Sequence, residues 1–182
     1  MCYRRGMTAT QHRTHDPVHR VSMAFEREED GLWVSTWLEP GGVLPEHFHP
    51  TLDERWEVVD GIADVKLAGA WRRLSAADGP VTVAPGVRHA LRNKSGAQTF
   101  LRTWVTPAGR LEAFLRESAW AAQEGLYDAR NLPRGIRGAA WIADFALRVR
   151  DETVMCSPPP AVQRAVLPVV ARLTRSRRPR PG

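Results

Sequence analysis

The residues best suited to chemistry lie between Gly41 and Gly61, in the segment GGVLPEHFHPTLDERWEVVDG. His47 and His49 are separated by one residue, and the carboxylate of Glu54 follows five positions after the second histidine. Residues two apart in an extended strand face the same way, so both imidazoles and a carboxylate on the next strand can converge on one point. Imidazole suits Fe, Mn, Ni, Cu or Zn, and a carboxylate favours an open octahedral site. The spacing predicts a metal site, with an exposed histidine pair as the competing interpretation.

The distribution of histidine favours the metal interpretation. The sequence has six histidines, and three of them lie in a polar segment, residues 1–20, that has no hydrophobic period. The other three are His47, His49 and His89. Every histidine in the predicted folded body is therefore a candidate metal ligand.

The charge of the chain is concentrated at its two ends. The net charge is +6, of which residues 1–20 carry +3 and the five arginines of residues 172–182 carry +5, leaving −2 for the body between them. Such a body lacks the electrostatic field of a nucleic-acid-binding protein, so nucleic acid is not an expected partner. An apolar fraction of 43% and a charged fraction of 25% are typical of a globular domain.

Cysteine usage and hydropathy predict where the protein resides. Cys2 and Cys156 lie near opposite ends of the chain, which favours a reducing compartment and no structural disulfide. The N-terminus lacks the apolar core of a secretory signal. The longest run free of polar residues, 165–171, is far shorter than the ~20 residues that span a bilayer. A cytoplasmic protein without a membrane partner is expected.

Short strand patterns separated by Gly and Pro fill residues 21–106. Asp60-Gly61 between two β-rich runs is a strong hairpin signal. Alternation places Glu54 and Trp56 on one face of a strand, so the carboxylate points inward with apolar neighbours. A carboxylate that faces a core requires a partner, and a metal ion is one. About eight such strands predict a mainly β fold, either a sandwich or a closed barrel.

After residue 107 the hydrophobic period changes from 2 to 3.6, which predicts helices. The first ends near Gly125, the second covers 138–150, and the third contains Pro168 as a kink. The predicted organisation is a disordered or partner-packed leader (1–20), a β domain (21–106), a helical extension (107–174) and a basic tail (175–182). We expect the helices to cover an outer face of the β domain or to form a homodimer contact, with a lid as the alternative.

These residues resemble the two sequence motifs of the cupin superfamily. The first motif, G-x5-H-x-H-x3–4-E-x6-G, is filled at every spacing by Gly41, His47, His49, Glu54 and Gly61. The second, G-x5-P-x-G-x2-H-x3-N, is filled in its second half by Gly86, His89 and Asn93. Its first half departs from the family pattern, because Ala84 occupies the usual proline position and Asp78 the leading glycine position.

The resemblance implies a double-stranded β-helix (cupin or jelly-roll) barrel over about residues 30–105, with a C-terminal α-helical extension like those of some small bacterial single-domain cupins. It also implies that His47, His49, Glu54 and His89 ligate one divalent metal ion. Fe²⁺ is the expected ion, and Mn²⁺, Ni²⁺ or Zn²⁺ are alternatives.

Four protein ligands leave two positions open on an octahedral ion, which suits oxygenation or Lewis-acid chemistry. The expected function is a metal-dependent oxidoreductase of the dioxygenase type that acts on a small organic molecule, with Glu54 also able to carry a proton. Alternatives are an isomerase, cyclase or lyase that does not use O2, and a non-enzymatic cupin that binds a small ligand while its helices dock DNA or protein. Trp56, which shares the face of Glu54, and Arg102, if it faces inward, are candidate substrate-pocket residues.

Overall fold

The computed structural model describes residues 13–181. Within this range the chain forms eleven β-strands, three α-helices and short 3-10 turns at Ala76–Asp78 and Arg175–Arg177. The strands are β1 (Thr14–Asp16), β2 (Val21–Glu28), β3 (Gly31–Leu38), β4 (Val43–Phe48), β5 (Asp53–Asp60), β6 (Ile62–Leu67), β7 (Ala70–Ser75), β8 (Val81–Val83), β9 (His89–Arg92), β10 (Thr99–Thr106) and β11 (Val154–Met155). The helices are α1 (Leu111–Gln123), α2 (Gly135–Val149) and α3 (Pro160–Leu173).

The strands form two antiparallel sheets, in the orders β1-β2-β3-β10-β5-β8 and β11-β4-β9-β6-β7. From β3 to β10 the pairing is nested: β3 pairs with β10, β4 with β9, β5 with β8 and β6 with β7. Nested pairing of eight strands across two sheets is the jelly-roll or double-stranded β-helix arrangement, so the predicted fold is confirmed. No hydrogen-bonded ladder joins the two sheets within residues 13–181, so the arrangement is an open two-sheet one.

Period-two patterning decides which side chains face the core. In β5, Glu54, Trp56 and Val58 are buried while the residues between them are exposed. The β5–β6 turn depends on Gly61, which has φ +80° and lies so close to the neighbouring loop that a Cβ would be 2.9 Å from the Gln98 carbonyl oxygen. The predicted turn at Gly61 is therefore present, but β5 and β6 enter different sheets and do not pair with each other, so the predicted hairpin is wrong.

The structure corrects the predicted leader over residues 14–20. Thr14–Asp16 form β1, which pairs with β2. The Asp16 carboxylate accepts the backbone N–H groups of Val18 and His19 at 2.8 and 2.9 Å, which closes the turn into β2. Gln123 of α1 donates to the His15 carbonyl at 2.7 Å. Contacts within the chain thus order this segment, while the first part of the predicted leader, residues 1–12, lies outside the described residues.

The helices pack through aromatic rings and end in an anchored tail. Phe114 of α1 stacks on Phe145 of α2 with ring centroids 5.1 Å apart, and Trp141 stacks on Phe145 at 4.5 Å. Helix α3 packs on α2. Beyond α3, Arg178 Nη1 lies 2.8 Å from Asp144 Oδ1, so an arginine of the basic tail is tied to α2. No helix within residues 13–181 is long and apolar enough to cross a bilayer.

Candidate metal centre

The two sheets bring the predicted ligands together from opposite sides. His47 in β4 is directly paired with His89 in β9, and His49 follows the end of β4 by one residue. Glu54 lies in β5, which belongs to the other sheet. The cluster therefore bridges the interior of the sandwich, with three imidazoles on one sheet and a carboxylate on the other.

The functional atoms of these four side chains are close to one another. The Nε2 atoms of His47 and His89 are 3.1 Å apart. Glu54 Oε2 is 3.3 Å from His89 Nε2, and Glu54 Oε1 is 3.5 Å from His49 Nε2. One ring nitrogen from each histidine lies within 4.8 Å of those of the other two. His49, Glu54 and His89 are buried and His47 is partly buried, so the three histidines can hold a metal ion.

Hydrogen bonds at Nδ1 decide which ring nitrogen faces the centre of the cluster. The Nδ1–H group of His47 donates to the carbonyl of residue 45 at 2.7 Å. That of His49 donates to the carbonyl of residue 152 at 2.9 Å, and that of His89 to the carbonyl of residue 87 at 2.8 Å. A neutral imidazole that donates from Nδ1 carries its lone pair on Nε2. Lone pairs that converge repel one another unless a cation lies among them, and a backbone partner of this kind is usual for metal-binding histidines. The donor set therefore fits a metal ion.

Burial and neighbouring charges set the protonation of the three rings. Burial, together with the other two imidazoles, lowers the pKa of His47 well below its ordinary value. Burial lowers the pKa of His89 to about 4. Burial also opposes protonation of His49, but the hydrogen bond and charge of Glu54 outweigh it and raise the pKa of this ring. At neutral pH the His47 and His89 rings are thus neutral and available as ligands.

Trp56 lies beside Glu54 on the buried face of β5. Its indole N–H donates to Glu54 Oε2 at 3.2 Å. Its ring lies edge-on to His89 with centroids 5.2 Å apart. Trp56 therefore borders the cluster and holds the Glu54 carboxylate in place.

The interpretation of Arg102 as a pocket residue is wrong. Strand β10 turns Leu101 and Thr103 inward, so Arg102 points away from the core. Its guanidinium lies over the ring of Trp33 at 4.2 Å and is 4.0 Å from Glu26 Oε2. An outer cation–π contact and a weak ion pair occupy this side chain, and it does not border the cavity described next.

A cavity of about 380 Å³ extends from the cluster to the helical extension. On the sheet side it is bordered by the four cluster residues and by apolar side chains. On the helix side the lining includes Phe114 from α1, Trp141 and Phe145 from α2, and Leu167 and Val170 from α3. The helices therefore form a roof over the cavity instead of covering only an outer face, which corresponds to the lid alternative.

Sequence reasoning missed a second polar group at this cavity. Asp16, His19 and Tyr127 also border it. The Asp16 carboxylate accepts hydrogen bonds from His19 Nδ1 at 2.8 Å and from the Tyr127 hydroxyl at 3.1 Å. The Asp16-x-x-His19 spacing was a faint signal, and Tyr127 is too distant in sequence to reveal the contact.

No protein-family model matches the sequence, and no curated protein matches it either. Among solved structures, an uncharacterized conserved protein with a double-stranded β-helix domain from Klebsiella pneumoniae is 23% identical, with a TM-score of 0.44 over 48% of this chain and 76% of that chain. KdgF from Halomonas sp. is 20% identical, with a TM-score of 0.45 over 50% of this chain and 84% of that chain. A sugar phosphate isomerase from a cupin superfamily, from Silicibacter pomeroyi, is 17% identical, with a TM-score of 0.46 over 50% of this chain and 62% of that chain. The nested strand pairing itself shows that the chain has a double-stranded β-helix fold.

Proposed function

We propose that the protein is a mononuclear metal-dependent enzyme of the dioxygenase type that acts on a small, largely apolar organic molecule. The observation that carries this proposal is the convergence of three imidazole nitrogens beside a buried carboxylate, on the wall of a cavity of about 380 Å³. The proposed ligands are His47, His49, His89 and Glu54. Fe²⁺ is the expected ion, and Mn²⁺, Ni²⁺ or Zn²⁺ are alternatives.

A bound divalent ion would supply Lewis-acid and redox chemistry to a substrate oxygen and to O2. The chain's own contribution is orientation, because three backbone carbonyls fix the imidazole rings. Glu54 is able to hold a proton at Oε1, the oxygen that faces His49, while Oε2 accepts from Trp56. Side chains of α1, α2 and α3 line the cavity opposite the sheets and place apolar surface around a bound substrate.

The lining of the cavity indicates the class of substrate. Aromatic and aliphatic side chains dominate it, and within residues 13–181 no lysine or arginine borders it. A phosphorylated or strongly anionic substrate would have no cationic partner there other than the metal. An enol, phenol or diketone fits better, because it combines an apolar body with an oxygen that can approach an ion.

The position of Glu54 also favours a second candidate, a metal-dependent isomerase, cyclase or lyase that does not use O2. A carboxylate held between two imidazoles can move a proton between neighbouring atoms of a substrate. Such a reaction needs the metal only to polarise a carbonyl. The two candidates therefore share one site and differ in their requirement for oxygen.

One set of measurements separates these candidates. Protein purified without a metal-affinity tag is analysed for bound metal, loaded with Fe²⁺, and tested for O2 consumption with a panel of phenols, enols and diketones. Metal-dependent O2 uptake that is lost in His47→Ala supports the dioxygenase. Turnover that is equally fast under strict anaerobiosis supports the second candidate and overturns the first. Absence of stoichiometric metal after loading overturns both.

A further inference from the structure

The second polar group of the cavity, formed by Asp16 and His19 and termed here the distal dyad, is enclosed but incompletely paired. The two residues are 5% and 7% exposed. Burial opposes ionisation of Asp16, but the hydrogen bonds that it accepts, first of all from the His19 side chain, outweigh it and lower the pKa of this carboxyl. Asp16 is therefore an ionised acceptor that holds His19 Nδ1 at 2.8 Å and the Tyr127 hydroxyl at 3.1 Å.

The other nitrogen of the His19 ring has no partner. His19 Nε2 is buried and makes no hydrogen bond within the part of the chain that the structure describes, residues 13–181. The same ring borders the cavity. In the neutral ring, the proton that Nδ1 donates to Asp16 leaves a lone pair on Nε2, which then acts as an acceptor. Unpaired buried polar atoms are rare and destabilising, so a site of this kind indicates a ligand group that completes it.

The distal dyad is offset from the histidine cluster along strand β4. The His19 carbonyl accepts the backbone N–H of Val43, at the start of β4, at 2.9 Å. His47 is four residues further along that strand, so the backbones of Val43 and His47 are at most about 13 Å apart, and a register shift between Leu44 and His47 shortens this span. The cavity wall that the two groups share also contains Leu44 and the stacked rings of Trp141 and Phe145. One molecule that contacts both ends must therefore be elongated and apolar in its middle.

We propose that His19 Nε2 accepts a hydrogen bond from a hydroxyl group at one end of an elongated aromatic substrate, whose other end carries the oxygen that approaches the metal. His19 is then a binding residue and Asp16 a positioning residue, since Asp16 acts by fixing the tautomer and orientation of the ring. A carboxylate or phosphate is disfavoured at this end, because the ionised Asp16 lies next to it. The assignment of the metal end rests on the proposed function, whereas that of the hydroxyl end does not.

Three related probes test this assignment on the zinc-loaded full-length protein. The probes are 6-hydroxy-2-naphthoate, 2-naphthoate and 6-methoxy-2-naphthoate, with dissociation constants measured by calorimetry. The hydroxyl probe is expected to bind about tenfold more tightly than 2-naphthoate, because it alone donates a hydrogen bond to His19. The methoxy probe, which cannot donate, is expected to show no such gain.

Two variants locate the effect at Nε2. In His19→Asn the side-chain amide can still donate to Asp16 but has no counterpart of Nε2, so the ratio between the hydroxyl probe and 2-naphthoate is expected to fall to about 1. Tyr127→Phe removes the other hydrogen bond to Asp16 and leaves His19 Nε2 in place, so its ratio is expected to stay at the wild-type value.

These measurements distinguish failure of the His19 assignment from failure of the proposed metal-dependent function. Equal binding of the hydroxyl probe and 2-naphthoate by the wild type, a preference for the methoxy probe, or a ratio that survives in His19→Asn overturns the assignment of His19. No binding of any probe overturns the aromatic substrate class. If removal of zinc and His47→Ala leave binding unchanged while His19→Asn abolishes the hydroxyl preference, the metal proposal fails and the assignment of His19 stands.

Discussion

The two polar ends of the cavity hold their imidazoles in different ways. At the metal end, the Nδ1–H groups of His47, His49 and His89 donate to backbone carbonyls. At the distal end, His19 donates to the carboxylate of Asp16. A carbonyl fixes a ring without adding a charge, whereas a carboxylate adds a negative charge that makes the ring a stronger acceptor.

The number of neighbours also differs between the ends. The three rings of the metal end lie within reach of one another, and this proximity disfavours protonation of His47. His19 lies beside a carboxylate and a phenol. In the two proposed roles, the same side chain serves as a metal ligand where imidazoles cluster and as a hydrogen-bond acceptor for a substrate where a single carboxylate orients it.

The largest expected effect concerns metal content. His47→Ala or His89→Ala removes a converging nitrogen, and the bound metal should fall from roughly one ion per chain to near zero while the fold persists. His19→Asn, which replaces the histidine of the distal dyad, should keep the wild-type metal content. Elemental analysis with circular dichroism as the folding check measures this. Full metal retention in both alanine variants contradicts the assignment of His47 and His89 as metal ligands.

The next effect concerns stability at the distal end. Asp16→Ala leaves His19 Nδ1 and the backbone N–H groups of Val18 and His19 without their acceptor, so the free energy of unfolding in urea should fall by about 3 kcal/mol. Asp128→Ala is the matched control, because Asp128 also accepts two backbone N–H groups but lies in an exposed turn. Its loss of stability should be smaller. An equal loss in the two variants contradicts a special role for the buried carboxylate.

A smaller effect is expected for Glu54→Gln. The amide oxygen can still coordinate an ion and accept from Trp56, so metal affinity should fall about tenfold, much less than after loss of an imidazole. Competition with a chromophoric chelator measures the affinity. Glu57→Gln, on the exposed face of the same strand, should have no effect. If Glu54→Gln weakens binding as much as His47→Ala, the carboxylate is an indispensable ligand.

The smallest effect is a pH dependence of the distal end. Burial, followed by the charge of Asp16, raises the pKa of the Tyr127 phenol above its ordinary value of 10.0. As the pH rises, the phenol therefore ionises at a lower pH in the unfolded chain than in the folded chain. The stability that this group contributes is present below pH 10 and is lost as the pH rises further. Tyr127→Phe should be less stable than the wild type by about 1 kcal/mol at pH 8, and the difference should shrink above pH 10. Urea unfolding across this range measures both values, and a constant difference contradicts the prediction.

Alternating residues and the first cupin motif predicted most of the β domain. The inward face of β5, the Gly61 turn and the assembly of Glu54 with three histidines all agree with the structure. The orientation of β10 was not predictable, because both of its faces carry large apolar side chains, Leu101 and Val105 on one and Phe100 and Trp104 on the other. The position of Arg102 therefore required the structure.

The distal end was beyond sequence reasoning for a different reason. Strand β1 is three residues long and polar, and its order depends on contacts with α1 and Tyr127, which lie about a hundred residues away in the chain. Likewise, the apolar stripes of the helices showed that they pack against something, without showing that they roof a cavity. Short elements that depend on distant partners leave no periodic signal.

The support of His49 has a consequence for how the protein can be divided. Its Nδ1 donates to the Glu152 carbonyl and lies 3.1 Å from the Thr153 hydroxyl, both in the loop after α2, and β11 just beyond pairs with His47 and Phe48. A fragment that stopped at residue 106 would contain every proposed metal ligand and still lack the groups that aim one of them. The β domain of this chain therefore does not by itself contain all the contacts that orient the proposed ligands, and a minimal version has to extend through Met155.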